Sequence, residues 1–379
     1  MLDVWIKNAR LLDLETGKES THQLGTRQGK ICGIYPEEAP ELPAVKQIDA
    51  KNNYVFPGFI DFHAHLFQHG SGFGLDADRL LSAGVTMAVD MGTAGYANYP
   101  AFHVCDVAPK TIPIKTFLNL SPVGQPGKGI NEPLDNGCLS LEKMDALLDA
   151  YPGEIVGIKV RISKNIVGPL GLEPLKKAVA YEEKLGLPVC VHTTNLPESA
   201  EAVAAILRPG DIYCHLYHGV GNTILDDNGR VLPGVLDAKK RGVLFDLGNG
   251  KMNFTFQVAE AAIRDGLFPD FISSDSTQAT FHSSELMWDL PRCMSKLWSM
   301  GMPFTEVIRS VTETPASFLG LAQKRGKIAV GYRADLTICQ VQHGNITFGD
   351  SSGVIRTGNQ WLEPQTTLLS GRVVWEKEK

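Results

Sequence analysis

Residues 56–66 read FPGFIDFHAHL. Pro57 and Gly58 punctuate the chain, and an apolar run then leads through Phe59, Ile60, Asp61 and Phe62 to His63 and His65. A strand alternates its faces, so this reading puts His63 and His65 on one side together with Asp61. Two imidazoles on one face are either satisfied core histidines or the grip of a metal site, since neutral imidazole is the commonest metal ligand. The first residues of the run are those of a buried strand and the histidines come at its C-terminal end. That end is where α/β barrels carry their chemistry.

The rest of the chain fits that placement. Apolar, β-branched or aromatic runs recur at 54–65, 85–92, 112–121, 154–163, 187–194, 211–219, 242–250 and 269–276. Helical patterns at 76–84, 141–150, 172–186, 198–207, 234–241 and 254–266 fall between most of them. Eight strands alternating with helices predict an α/β fold of the (β/α)8 TIM-barrel type over residues 56–324, with an open doubly wound sheet as the alternative. Residues 1–55 and 325–379 hold short strands and turn signals with little helix, and are expected to join as a small β-sandwich domain.

Bulk properties exclude some classes. The chain has 379 residues, 43% hydrophobic and 21% charged, as in an ordinary globular enzyme. A net charge of -6, a pI near 5.9 and no basic stripe argue against a nucleic-acid partner. No apolar run approaches the ~20 residues of a membrane span, and the N-terminus lacks the features of a signal peptide. The seven cysteines are odd in number and none forms a Cys-X-X-Cys pair. A reduced cytoplasmic protein with neither disulfides nor a cysteine zinc site is expected.

The strand ends then collect chemistry. Strand 1 offers His63 and His65, strand 4 Lys159, strand 5 His192, strand 6 His215 or His218, and strand 8 Asp275. Imidazoles and a carboxylate at one mouth suit one or two divalent metals such as zinc. In IVGIKVR, Lys159 falls on the face away from the β-branched residues, and so points into the lumen, where a bare ammonium is costly. Either it forms a structural salt bridge, for instance with Asp61, or it is carboxylated. In the second case the anionic carbamate bridges two metals about 3.5–4 Å apart.

In these motifs the sequence resembles the amidohydrolase superfamily: PGFIDFHAHL, Lys159, His192, the strand-6 histidine and SSDS at Asp275 occur in its order. The flanking IKNARLLD, KIAVGYRADLTI and LLSGRVVW also match, and within the superfamily the chain looks most like the dihydroorotase-related deacetylases. The resemblance implies two Zn2+ per chain, with His63, His65 and Asp275 on one ion, His192 and His215 on the other, and carboxylated Lys159 between them. It implies a hydrolase that attacks an amide or ester through a metal-bridging hydroxide, with Asp275 moving the proton. Deacetylation of an N-acyl amino acid or acylated hydroxy acid is the favoured activity. Cyclic amide hydrolysis of the dihydroorotase kind and adenine or purine deamination are the enzymatic alternatives, and a metal-free scaffold is the non-enzymatic one.

Arg161 shares the face of Lys159 two residues on, where its guanidinium is expected either to meet a substrate carboxylate or to pair with an acidic neighbour at the rim. Strand parity allows only one of His215 and His218 in the lumen. His215 is favoured as the ligand, and His218 is left as a substrate contact or a loop residue without a role. His69, in a glycine-rich loop, reads as solvated. Specificity is expected in the loops that follow strands 1, 3 and 8, the last being 277–294. The expected partner is a small molecule that carries a carboxylate, with no nucleic acid or membrane, and the protein is expected to be a homo-oligomer.

Overall fold

The structure, a computed structural model, describes residues 1–282 and 289–378. The chain begins in a mixed sheet. β1 (Leu2–Leu12), β2 (Glu19–Arg27) and β3 (Lys30–Pro36) run antiparallel in sequence, while β4 (Ala44–Asp49) and β5 (Tyr54–Pro57) lie parallel to β1. The run expected as one strand over 54–65 is therefore two. Pro57 brings no N–H for a ladder, the Gly58 N–H turns to the Asp335 carbonyl at 2.7 Å, and the chain leaves the first sheet there.

A second sheet starts directly afterwards. β6 (Phe59–Ala64), β7 (Val85–Gly95), β8 (Ile114–Asn119), β9 (Ile155–Arg161), β10 (Val189–His192), β11 (Ile212–Cys214) and β12 (Leu244–Asp246) lie side by side in chain order, all parallel. Helices link most of them, including Leu141–Ala150, Glu173–Leu185, Ala200–Ile206 and Pro233–Arg241. Ser140 and Ser199 cap two of these by accepting backbone N–H groups, and Gly186 and Gly242 end two others in the left-handed conformation. The expected helix at 76–84 is a 3-10 helix, Ala77–Ala83.

The last expected strand, 269–276, is not extended along its length. It makes one parallel bridge at each end instead, Phe271 to Asp246 of β12 and Ser276 to Ala64 of β6. The sheet thus curls until one segment touches both its edges. The physical cause lies inside the curl. Phe62 stacks on Phe271 with ring centroids 3.9 Å apart and meets Phe318 edge-on at 5.1 Å. Val89, Met91, Phe117, Cys190, Ile212 and Cys214 complete this interior cluster.

β13 (Leu336–Gly349) pairs with β5, and with β14 (Ile355–Leu369) and β15 (Arg372–Glu376) it returns the chain to the first sheet. The terminal segments do meet, and their eight strands form one hydrogen-bonded sheet. The β13–β14 hairpin is long enough to reach the other unit. At its tip, Asp350 accepts the Phe256 N–H at 2.9 Å and so caps the helix Phe256–Arg264. Among the described residues, no helix is long and apolar enough to cross a membrane.

Phe62 is fully buried, and its removal leaves a cavity between stacked rings. Phe62→Ala is expected to cost about 3–5 kcal/mol, and Phe62→Leu distinctly less. Urea unfolding followed by circular dichroism measures both, and an alanine variant of wild-type stability would refute this account of how the curl is held.

Candidate metal centre

The curl sets the first strand against the last segment. The Asp275 N–H donates to the His63 carbonyl at 2.8 Å, and the His65 N–H to the Ser276 carbonyl at 2.9 Å. The Asp275 carboxylate then lies between two imidazoles, with Oδ1 at 3.4 Å from His63 Nε2 and 3.1 Å from His65 Nε2. His215 adds a third ring, 5.1 Å from that of His63, and His192 a fourth, 4.4 Å from that of His215. All five residues are buried. β11 ends at Cys214, so His215 lies just past the strand. His215 and Asp275 adopt left-handed backbone, with φ of 66° and 51°. That strain, of order 1–3 kcal/mol each, is typical of functional sites. Two glycines of the next loop make room for it. A Cβ on Gly248 would come within 2.5 Å of His215 Nδ1, and one on Gly250 within 2.2 Å of Asp275 Oδ2.

A second ring of hydrogen bonds fixes the proton on three of the imidazoles, those of His63, His65 and His215. His63 Nδ1 lies 2.8 Å from Asp246 Oδ2, which can only accept. His215 Nδ1 lies 2.8 Å from the Gly248 carbonyl. His65 Nδ1 lies 2.8 Å from Thr93 Oγ1, whose own hydrogen goes to Asp90 Oδ2 at 2.7 Å. In each case Nδ1 must donate, and the neutral ring then offers its Nε2 lone pair inward. Burial, reinforced by neighbouring cationic groups, holds His192 and His215 well below the usual histidine range, and burial also lowers His63. These rings stay neutral at physiological pH, as a metal requires. Burial works against the charge of Asp275, while positive charge nearby, that of Lys159 included, acts the other way and lowers its carboxyl.

Lone pairs of two neutral imidazoles facing a carboxylate oxygen repel unless a cation lies between them. Ligand atoms held tetrahedrally at ~2.0–2.1 Å from one ion stand about 3.3 Å apart, and the 3.1 and 3.4 Å separations at Asp275 fit that edge. The donor set suits a divalent cation. His63, His65 and Asp275 form one such group, and His63, Cys214 and His215 a second that shares a ligand.

Lys159 is also in the interior, fully enclosed, with Nζ 3.6 Å from Sγ of both Cys190 and Cys214. Burial opposes its charge, while the two sulfurs and the more distant Asp246 and Asp275 act the other way and hold its pKa above the usual lysine value. Burial keeps the Cys214 thiol protonated, so that sulfur carries no full negative charge, and the carboxylates supply the compensation. The salt bridge to Asp61 does not form. The register of β6 against β7 shifts between Asp61 and Ala64. Phe62 then turns into the interior cluster, and the Asp61 carboxylate accepts from Ser274 N at 3.1 Å and from Ser274 Oγ.

Arg161 sits beside His192 across the β9–β10 pairing and forms an ion pair with Glu132, on the long loop after β8. Its Nε, buried, has no acceptor among the described residues. His218 is fully buried and belongs to neither ligand group, and its backbone N–H donates to the His215 carbonyl at 3.2 Å. Its Nδ1 accepts the Val220 N–H at 3.4 Å, which puts the hydrogen on Nε2, and Nε2 has no partner among the described residues. Burial lowers its pKa to about 4. His69 is mostly exposed and bonds Asp106 at 2.7 Å. Of the loop 277–294, residues 283–288 lie outside the described residues. Thr93, Asp246, Glu132 and Asn253 were not singled out from the sequence. A strand-end position marks Asp246, in VLFDLGNG, but nothing local marks the others.

The chain matches the model of the amidohydrolase family over residues 54–374. It is 34% identical over 370 residues to a deacetylase of Brucella anthropi, a match that spans 95% of this chain and 89% of the relative. Among solved structures, one described as an adenine deaminase superposes with a TM-score of 0.90 at 27% identity, covering 100% of both chains. One described as a dihydroorotase superposes with a TM-score of 0.89 at 30% identity, covering 99% of this chain and 100% of that one.

Thr93→Val keeps the shape at the end of β7 and removes the acceptor for His65 Nδ1–H. Metal affinity is expected to fall by about 10–100-fold, with unfolding temperature nearly unchanged. Competition with a chelator, read by metal analysis of the protein, gives the number, and wild-type affinity would show that the hydroxyl does not orient His65.

Proposed function

This chain belongs to the amidohydrolase family and is a hydrolase acting on carbon–nitrogen bonds, and we propose that it removes the acyl group from an N-acyl amino acid or an acylated hydroxy acid. The observation that carries the reading is the convergence of His63 and His65, each tied at Nδ1, on the carboxylate of Asp275, with the similarly tied His215 ring beside His63. In this reading His63, His65 and Asp275 would hold one zinc ion and His192 and His215 a second, and Lys159, as a carbamate, would contribute to both. Carboxylation forms a bond from Nζ to the carbon of carbon dioxide and releases two protons, one to free the amine from its ammonium form and one as the carbamate forms, and it replaces a buried cation with an anion. When bound, the metals would acidify a water and polarise the scissile carbonyl.

The chain's own groups do the rest. Asp275 takes a proton from the attacking water as the water oxygen bonds to the carbonyl carbon. It returns that proton to the leaving nitrogen or oxygen as the old bond breaks. Arg161 supplies the substrate's anchor. Glu132 engages one end of the guanidinium, and Nε remains for the free carboxylate of the substrate. His218 offers its spare Nε2–H as a second donor to the substrate.

The deacetylase name of the relative from Brucella anthropi supports acyl transfer to water. The likeness to a structure described as a dihydroorotase favours cyclic amide hydrolysis as the second reading. In this reading of the molecule, residues 56–324 form a closed (β/α)8 barrel whose eighth stave is 269–276. Residues 1–55 and 325–379 form a small β-sandwich beside it, and the protein works as a cytoplasmic homo-oligomer.

Two measurements test this. Metal analysis is expected to find two zinc ions per chain. Lys159→Ala should lose metal and activity, with partial rescue by short carboxylic acids plus zinc, and an unmodified Lys159 in a fully active, metal-replete protein would sink the carbamate. A screen of N-acetyl amino acids, acetylated hydroxy acids, dihydroorotate and adenine then sorts the reactions. For the preferred acid, Arg161→Met should cost about 2–5 kcal/mol in kcat/KM, and for its methyl ester much less. Equal losses would make Arg161 purely structural.

A further inference from the structure

The two oxygens of Asp275 have different surroundings. Oδ1 faces His63 and His65, while Oδ2 accepts a hydrogen bond from Asn253 Nδ2 at 2.8 Å. The carbonyl end of the same amide, Asn253 Oδ1, accepts from Thr194 Oγ1 at 2.7 Å. Thr194 is held in turn, since the Ser163 hydroxyl donates to its carbonyl at 2.7 Å. Asn253 is 7% exposed, Thr194 8% and Asp275 8%. The Gly250 backbone passes close to Oδ2 on another side, where a Cβ would come within 2.2 Å. The chain Thr194–Asn253–Asp275 therefore runs from just beyond the end of β10, across the loop after β12, to the last segment of the curl.

We propose that Asn253 is a positioning residue that holds Asp275 to one oxygen on the metal side and one on the substrate side, with Thr194 fixing the amide's orientation. The terminal torsion of an aspartate is broad and roughly two-fold. Left to itself, the carboxylate can rock until both oxygens face the same cation. An amide N–H on Oδ2 opposes that rotation, and the bond from Thr194 favours the amide orientation that presents N–H to the carboxylate. A flipped amide would set Oδ1 against a carboxylate oxygen. The proposal rests on the reading of Asp275 as the proton carrier.

The test uses the zinc-loaded protein with N-acetyl amino acids, and the cobalt(II)-substituted protein for its visible absorption. Asn253→Leu, close in volume, is expected to lower kcat by about 10–100-fold. KM should change by less than about two-fold, because the interaction acts after binding. The cobalt band should weaken as the carboxylate becomes bidentate and the coordination number rises. Thr194→Val should move kcat and the band the same way by a smaller factor, and Thr194→Ser should restore both. The Thr194→Val, Asn253→Leu double variant should be no worse than Asn253→Leu alone, as for residues acting in series. Should Asn253→Leu fail to fold, the two Thr194 variants decide. An unchanged cobalt band together with unchanged kcat in Asn253→Leu overturns the proposal, as does failure of Thr194→Ser to restore what Thr194→Val lost. Asp275→Asn separates this from the wider reading. If zinc-loaded Asp275→Asn keeps wild-type kcat, the proton-carrier role fails. If it loses about 10²–10⁴-fold while Asn253→Leu loses nothing, only the positioning role fails.

Discussion

The seam where the curled sheet meets its own last segment is the constraint on which the site depends. Asp275 donates its backbone N–H to His63, at 2.8 Å, and that bond joins the first strand of the parallel sheet to a segment 212 positions later. It is supported from below by the Phe62–Phe271 stack and at its two ends by the bridges Phe271–Asp246 and Ser276–Ala64. Once the seam is made, the carboxylate of Asp275 has no choice but to face the imidazoles of His63 and His65. The left-handed backbone of Asp275 and His215 persists because these contacts over-determine it, and Gly248 and Gly250 leave the space.

Burial turns that geometry into chemistry. A cluster of histidines with this little solvent cannot be cationic, and desolvation alone pushes His63, His192 and His215 toward the neutral ring. Neutrality leaves one N–H per ring to satisfy. Asp246, the Thr93 hydroxyl and the Gly248 carbonyl take the Nδ1 hydrogens of His63, His65 and His215 from the outer side. The inner nitrogens are left as lone pairs. The outer partners come from β7, β12 and the loop after β12, so each of these three imidazoles is oriented by an element other than its own. This makes the centre a property of the assembled sheet.

The neighbouring proteins carry three different activity names on one fold. Differences between such enzymes are expected at the rim, where loops of different composition meet the substrate. Here Arg161, beside His192, is already paired with Glu132, and a hairpin from the terminal sheet caps a helix of the parallel unit with its tip. The terminal sheet therefore reaches into the architecture around the mouth while keeping its own core of Val4, Ile6, Leu24, Val55, Leu336 and Leu368.

The sequence by itself determined the α/β class, the meeting of the two terminal segments, expected as a β-sandwich and found as one hydrogen-bonded sheet, and the placing of His63, His65, Lys159, His192 and His215 at or near strand ends. Those follow from local signals: β-branched runs, helical spacing, turn residues and the two-residue period of a strand. Family resemblance extended them to a hydrolase. Only the tertiary structure decided that residues 54–65 split at Pro57–Gly58 and that a register shift breaks the alternation at Asp61. It also placed Arg161 against Glu132. Thr93 and Asn253 became visible only there, and so did the role of Asp246, because these roles depend on partners 28, 22 and 183 positions away in the chain. A hydrogen bond across such a separation leaves no periodic trace in the sequence. It exists only once the sheet has curled and the water has been displaced.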